Sequence, residues 1–247
     1  MTLNRRTRWW VAIPGAVLLA AGAWWWHDDR STRFLPAETS AFVATFAAPS
    51  PVDSPETRRE LNELLALQAA RSAAEVAAAQ ADRKTEISRF YAALGFDASS
   101  SPKLPRVEQL AERVEDDVRI YVRAAKDHFR RLRPHEIEPR LEPCIENVKG
   151  DLSYPSGHAA YGWAMYFLLR EMVPERKQEL EARAREYAHQ RMVCGVHFAS
   201  DLEAGRLAAG RVIDAMVQVP RFREEFRAAA QEMRAALRLP PIAAESN

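Results

Sequence analysis

The sequence predicts an all-α, single-domain protein. The chain has 247 residues, which is enough for one sizeable hydrophobic core and short for two full domains. Only 9 residues are glycine, whereas Ala, Leu, Glu and Arg are abundant and favour helices. Apolar residues also recur at helical spacing, as Leu61, Leu64 and Leu65 do. We therefore expect a bundle of packed helices.

Prolines, glycines and apolar periodicity set the expected order of the helices. Pro55 opens the first helix, which continues through an Ala-rich segment, and Gly95 closes a later one. Pro134 ends a helix that begins near Val107. The stretch 135–154 has no clean period and should form a long functional loop. The expected later helices span 87–94, 107–133, 156–172, 175–193, 197–219 and 220–237.

The N-terminus has the pattern of an export signal. Arg5, Arg6 and Arg8 precede an apolar stretch over 9–26. Small residues over 21–23 favour cleavage of a signal peptide, whereas tryptophans at both ends of the stretch favour a short membrane anchor, and both interpretations stay open. In either case everything after residue 30 lies outside the cytoplasm, which in a bacterium means the periplasm. The expected segments are a signal peptide or anchor over 1–30, an extended lead-in over 31–55 and a helical domain over 56–240.

The overall charge excludes a strongly polyanionic partner. The chain has 35 Lys and Arg residues against 34 Asp and Glu residues, a net charge of +1. So small a net charge gives too weak a field to favour nucleic acid as the principal partner. Any basic feature must therefore be local.

The chain has two cysteines, Cys144 and Cys194. An exported protein folds in an oxidising compartment, where two such thiols are expected to pair in a disulfide. The alternative is a pair of buried free cysteines.

Three polar segments carry the candidate chemistry. In the first, Lys126 and Arg133 are seven residues apart, which is two helical turns, so on one helix both would point the same way and could grip one phosphate. The alternative is a solvated basic face, which Arg130 and Arg131 would also fit.

The second segment is Pro-Ser-Gly-His at a predicted helix start. Ser156 can act as the N-cap, and Gly157 lets the backbone approach a ligand closely. The free N–H groups of the first turn would then face a bound anion, with His158 directly behind them. An ordinary helix start is the alternative.

The third segment places His197 four residues before Asp201. On a helix this carboxylate can reach one imidazole nitrogen and leave the other free to act as a nucleophile. Arg191 would face elsewhere in an unbroken helix, but Gly195 can break the helix and let both converge. A helix-surface ion pair is the alternative.

Taken in order, these segments resemble the signature of the type-2 phosphatidic acid phosphatase superfamily: K-x6-R-P, then P-S-G-H, then S-R-x5-H-x3-D. Tyr154 and the run Cys-Gly-Val-His ending at His197 are similar to the bacterial class A non-specific acid phosphatases. The resemblance implies a helical bundle of the acid phosphatase and vanadium haloperoxidase type, often dimeric, with no metal or cofactor. Two positions depart from the pattern: Gln190 replaces the usual Ser, and Phe198 replaces a common Trp, which is expected to alter the pocket wall.

The resemblance also implies a role for each motif residue. His197 would attack phosphorus, Asp201 would orient it, and His158 would protonate the leaving alcohol. The remaining positions would hold the phosphate oxygens: Lys126, Arg133, Ser156, Gly157 and Arg191.

The resemblance leaves four functions to compare. The first is an exported acid phosphatase acting on small phosphomonoesters, with a homodimer and N-terminal membrane anchoring left open. The second is a lipid phosphate or pyrophosphate phosphatase held at a membrane, although no other apolar run approaches the ~20 residues of a span. Vanadate-dependent halide oxidation is the third, for which the chain is small. The last is phosphate binding without turnover, which would have no use for the His–Asp pair.

Overall fold

The computed structural model describes residues 33–97, 102–145 and 151–241, and within these ranges it contains helices and no β-strand. The all-α prediction is therefore confirmed. The signal peptide or anchor expected over 1–30 lies outside the described residues. In the three described ranges, no helix has both the length and the hydropathy needed to cross a bilayer.

Short connections join α2 to α3, α5 to α6, α8 to α9 and α9 to α10, whereas about twenty residues separate α6 from α7. Two 3-10 turns, Ile87–Phe90 and Pro174–Arg176, lead directly into α4 and α8. The α-helices of the described ranges are α1 (Ser40–Val43), α2 (Pro55–Ala70), α3 (Ala73–Ala81), α4 (Tyr91–Leu94), α5 (Pro105–Phe129), α6 (Pro134–Ile137), α7 (Gly157–Met172), α8 (Lys177–Val193), α9 (Ala199–Met216) and α10 (Pro220–Ala236).

Helix α7 is the centre of the fold. Most of its side chains are buried, and it packs against α5, α8, α9 and α10. Two glycines allow close helix contacts: a Cβ on Gly205 would lie 2.5 Å from the carbonyl oxygen of Ser156, and one on Gly162 would lie 2.6 Å from the ring of Tyr187. No real Cβ tolerates such distances, so Gly205 lets α9 reach the first residues of α7.

The prediction that Lys126 and Arg133 share one helix is wrong. Helix α5 ends at Phe129, because Arg130 adopts a left-handed conformation with φ of 51° and its N–H bonds back to the carbonyl of Lys126. Pro134 starts the short helix α6 instead of ending α5, in agreement with the preference of proline for the first helical turn. Arg133 therefore reaches the site from a turn.

Two other helix boundaries differ from the expectation. Helix α9 begins at Ala199 and not at 197, so His197 precedes it. The Ala-rich segment forms two helices, since Ser72 starts α3 with a capping box in which Ser72 and Glu75 bond each other's backbone N–H.

Cys144 and Cys194 form a disulfide across a sequence separation of 50 residues. The bridge ties the segment after α6 to the end of α8. In the chain-entropy model a loop of this length lowers the entropy of the unfolded chain by an amount worth about 4 kcal/mol. The disulfide thus anchors the turn that carries His197 to the segment after α6.

Candidate active site

His197 lies in the turn between α8 and α9, and its side chain is almost completely buried. Gly195, with φ of 65°, makes the turn possible. The Nδ1 atom is 3.2 Å from Oδ2 of Asp201, and the Nε2 atom is 2.9 Å from Nη1 of Arg133. A guanidinium can only donate, so the ring proton is assigned to Nδ1, and Nε2 carries the lone pair.

Asp201 is the acceptor that orients this imidazole. It sits in the first turn of α9, where its Oδ2 atom also accepts from the N–H of Phe198 at 2.9 Å and from the hydroxyl of Ser153. Its Oδ1 atom accepts from Nη1 of Arg131 at 2.7 Å. Full burial raises the pKa of Asp201 above its ordinary value, and Arg131, Ser153 and the Phe198 amide reduce that rise by donating to the ionised form.

The surroundings of His197 keep its imidazole neutral. Burial lowers the pKa of His197 well below its ordinary value, and the positive charges of Arg133, Lys126 and Arg191 lower it further. A neutral imidazole with a fixed Nδ1 proton is the form that can attack an electrophile through Nε2.

Three buried cations are concentrated around this imidazole: Lys126, Arg133 and Arg191. Burial and the neighbouring charge of Arg133 lower the pKa of Lys126 to about 8 and that of Arg191 to about 10. Within the described part of the chain, Nε and Nη1 of Arg191 have no hydrogen-bond partner. Buried donors without partners and like charges in proximity both favour binding of an anion.

The start of α7 adds further donors to the same region. Ser156 is the N-cap and is fully buried; its hydroxyl accepts from the N–H of Ala159 at 3.2 Å, and its own N–H donates to the carbonyl of Asp201 at 2.9 Å. The expectation of a free N–H therefore fails for Ser156. Gly157 and His158 follow it in the first turn, where the helix leaves amide groups unsatisfied.

His158 packs face to face on Tyr187, with ring centroids 4.2 Å apart. Burial, and then the charges of Arg191 and His197, lower the pKa of His158 well below its ordinary value. Its Nε2 atom has no hydrogen-bond partner among the described residues. This nitrogen is therefore available to a ligand.

A cavity of about 260 Å³ opens beside these groups. Lys126, Gly157 and His158 line it together with Asp151, while Val118, Val122 and Tyr161 are among its other lining residues. The charged side chains of Glu115, Arg119 and Arg123 line it too, whereas His197, Arg133 and Arg191 are not among its lining residues. Phe198 does not line this cavity; it is fully buried beneath the guanidinium of Arg131, whose central carbon lies 3.9 Å from the ring centroid. The expected effect of Phe198 on the pocket wall is thus not seen.

The structure brings the candidate residues of all three segments into one region, and it adds residues that the sequence patterns missed. Arg131 fits a solvated basic face by sequence, but it is buried and bonded to Asp201 and to Glu60, the latter at 2.9 Å. Ser153 and Asp151 lie in the expected loop, with no motif to distinguish them. Gln190 is buried, and its Oε1 atom lacks a hydrogen-bond partner among the described residues.

The chain is also similar to proteins of known families. Residues 118–225 match the model of the PAP2 superfamily, and this match confirms the resemblance of the motifs. A non-specific acid phosphatase of Providencia stuartii is 29% identical over 147 residues, which cover 58% of this chain and 59% of the relative. One from Salmonella typhimurium is 34% identical over 113 residues, covering 44% of this chain and 45% of the relative.

One more curated relative and one solved structure are also similar to the chain. An acid phosphatase of Zymomonas mobilis is 30% identical over 146 residues, covering 58% of this chain and 54% of the relative. The chain thus spans about half the length of the curated relatives it matches. A transmembrane PAP2-type phosphatidylglycerolphosphate phosphatase from Bacillus subtilis aligns with a TM-score of 0.47 and 17% identity, over 69% of this chain and 91% of the other.

Proposed function

We propose that this protein is an exported acid phosphatase that hydrolyses small phosphomonoesters through a phosphohistidine intermediate. The observation that carries the proposal is a neutral imidazole, oriented by Asp201, next to three buried cations. Cations alone would suffice to bind phosphate, whereas an imidazole with a fixed tautomer is what covalent catalysis requires. The proposal that the protein is exported rests on the N-terminal sequence pattern.

The first step is attack of Nε2 of His197 on phosphorus. A bond forms between this nitrogen and phosphorus, the bond from phosphorus to the ester oxygen breaks, and His158 gives its proton to the leaving oxygen. Water then attacks the phosphohistidine with His158 as the base, which releases inorganic phosphate and restores both histidines. Asp201 stabilises the positive charge that develops on the attacking ring.

The cations stabilise the transferring phosphoryl group. Arg133 donates to Nε2 of His197 before substrate binds, so the phosphate oxygens must take over this donor when the nucleophile is freed. With substrate bound, Lys126, Arg191 and the first amides of α7 would complete a set of positive groups around the equatorial oxygens. With this charge supplied by side chains, we propose that no metal is needed.

Arg191 gives the most direct test of the proposed function. Replacing it with methionine removes a buried cation whose donors are free for phosphate, so we expect kcat/KM for p-nitrophenyl phosphate to fall about a hundredfold. Arg185→Met is the matched control, because Arg185 lies on the same helix, is exposed, and pairs with Glu181 at 2.6 Å. Equal activity of the two variants, or no hydrolysis by the unmodified chain, would contradict the proposal.

The pH dependence of turnover follows from the two histidines. His158 must be protonated to donate, and its lowered pKa makes the protonated fraction grow only as the pH falls, while a bound phosphate dianion raises that pKa again. His197 stays neutral into the acid range. We therefore expect kcat to rise from pH 8 downward, with an optimum on the order of pH 5 to 6.

A comparison of leaving groups tests whether His158 is the acid responsible for this pH dependence. His158→Asn should cost far more activity on an alkyl phosphate than on p-nitrophenyl phosphate, whose phenolate leaves without a proton. A pH-independent rate between pH 5 and 8, or an equal loss on both substrates, would show that His158 is not the acid.

A lipid phosphate phosphatase is the second candidate function, favoured by the apolar N-terminal stretch, which could hold the domain at a membrane. The full chain should be assayed with a soluble nucleotide and with phosphatidate in micelles. Our proposal expects the higher kcat/KM on the soluble substrate, and the reverse order would favour the lipid phosphatase.

A further inference from the structure

The carboxylate of Asp151 bridges two of the cations that the proposed function assigns to substrate. Nζ of Lys126 donates to Oδ2 at 3.0 Å and to Oδ1 at 3.1 Å. Nη2 of Arg133 donates to Oδ2, and Nε of Arg133 donates to the backbone carbonyl of Asp151 at 3.0 Å. The oxygens of this carboxylate thus occupy donors that a phosphate would use.

Nearly all N–H groups of Lys126 and Arg133 already donate hydrogen bonds within the protein. A lysine has three N–H groups, and those of Lys126 go to the two oxygens of Asp151 and to the carbonyl of Leu152. Arg133 likewise donates to Asp151, to the carbonyl of Val196 and to His197. Lys126 therefore has no N–H left for a substrate phosphate until Asp151 withdraws.

Asp151 is placed so that it can withdraw. Its side chain is 46% exposed, whereas those of Lys126 and Arg133 are 9% and 4% exposed. It also lines the cavity beside Lys126 and His158. Partial burial disfavours its charge, but Lys126 and Arg133 together lower the pKa of Asp151, so it remains an anion at neutral pH.

We propose that Asp151 is an internal anion that competes with the substrate phosphate for Lys126 and Arg133 and is displaced when phosphate binds. The inference rests on the proposed function for the identity of the incoming anion. It makes Asp151 a determinant of phosphate affinity: the ion pairs it forms in the free protein must be broken before substrate can make its own.

The test is direct binding of inorganic phosphate to the full chain by calorimetry at pH 6. Asp151→Asn keeps the shape of the side chain and removes its charge, so we expect the Kd for phosphate to fall about tenfold, with a similar fall in KM for p-nitrophenyl phosphate and little change in kcat. Asp127→Asn is the matched control. Asp127 is exposed on α5 and pairs with Arg123, so its removal should leave the Kd nearly unchanged.

The alternative role for Asp151 is to hold Lys126 and Arg133 in position. In that case Asp151→Asn would weaken phosphate binding and lower activity, and the inference would be overturned; an unchanged Kd would overturn it as well. A thermal unfolding curve for each variant confirms that the fold is retained. If Asp151→Asn binds phosphate more tightly but the unmodified chain shows no phosphatase activity, the internal anion is supported and the proposed function is rejected. Failure of the inference and failure of the proposed function therefore give different results.

Discussion

Replacing His197 with alanine is expected to lower kcat for p-nitrophenyl phosphate by at least about 10⁴-fold. The nucleophile has no substitute, since the other imidazole in the region, His158, stacks on Tyr187 and bonds no carboxylate among the described residues. Phosphate binding should survive this change, because Lys126, Arg133 and Arg191 remain. The measurement is steady-state hydrolysis alongside calorimetric titration with inorganic phosphate.

His189→Ala is the control for this substitution. His189 is an exposed histidine of α8, so its loss removes an imidazole without touching the site, and activity should stay near that of the unmodified protein. Substantial turnover by His197→Ala would mean that water attacks the ester directly, and the covalent route would have to be abandoned.

Arg131→Met is expected to give a large loss of stability, about 3 to 5 kcal/mol of the free energy of unfolding. Arg131 bonds Oδ1 of Asp201 at 2.7 Å and Oε2 of Glu60 at 2.9 Å. Its removal leaves the charge of the fully buried Asp201 without its cationic partner. Denaturant unfolding monitored by circular dichroism measures the difference.

The same substitution should also lower kcat about a hundredfold, because Asp201 without Arg131 would no longer hold His197 in position. A purely structural role would reduce the amount of folded protein but leave the pH profile of the folded fraction unchanged. We expect instead that the profile shifts, because the loss of Arg131 raises the pKa of Asp201. Arg130→Met is the matched control, since Arg130 is the exposed neighbour, and it should change neither stability nor kcat appreciably. Equal effects of the two variants would contradict the role assigned to Arg131.

Much of the fold could be predicted from local sequence signals. Pro55, Gly95 and Pro220 mark helix boundaries that the structure contains. Proline fixes its own φ angle, and glycine adopts left-handed conformations that other residues rarely adopt, so both act locally. The end of α5 was missed because Arg130 takes a left-handed conformation without being glycine. The early end of α5 moves Arg133 off the helix, yet it still reaches His197.

The candidate site was only partly predictable, for a different reason. Motif residues such as His197 and Asp201 are recognisable by spacing, but Arg131, Ser153 and Asp151 act through contacts with residues distant in the chain. Ser153 reaches Asp201 across 48 positions, and Arg131 reaches it across 70. Such partners are set by how α5, α7 and α9 pack, and no local pattern distinguishes a buried arginine from a solvated one.

The most direct test is to trap the covalent intermediate on His197. The full chain should be mixed with ³²P-labelled substrate at the acid optimum, quenched in alkali, in which phosphohistidine is stable, and digested for mass spectrometry. We predict one phosphorylated peptide, the one that contains His197, with the label lost on acid treatment and absent from His197→Ala. Turnover without any label on the protein, or with the label on another residue, would contradict attack by this histidine.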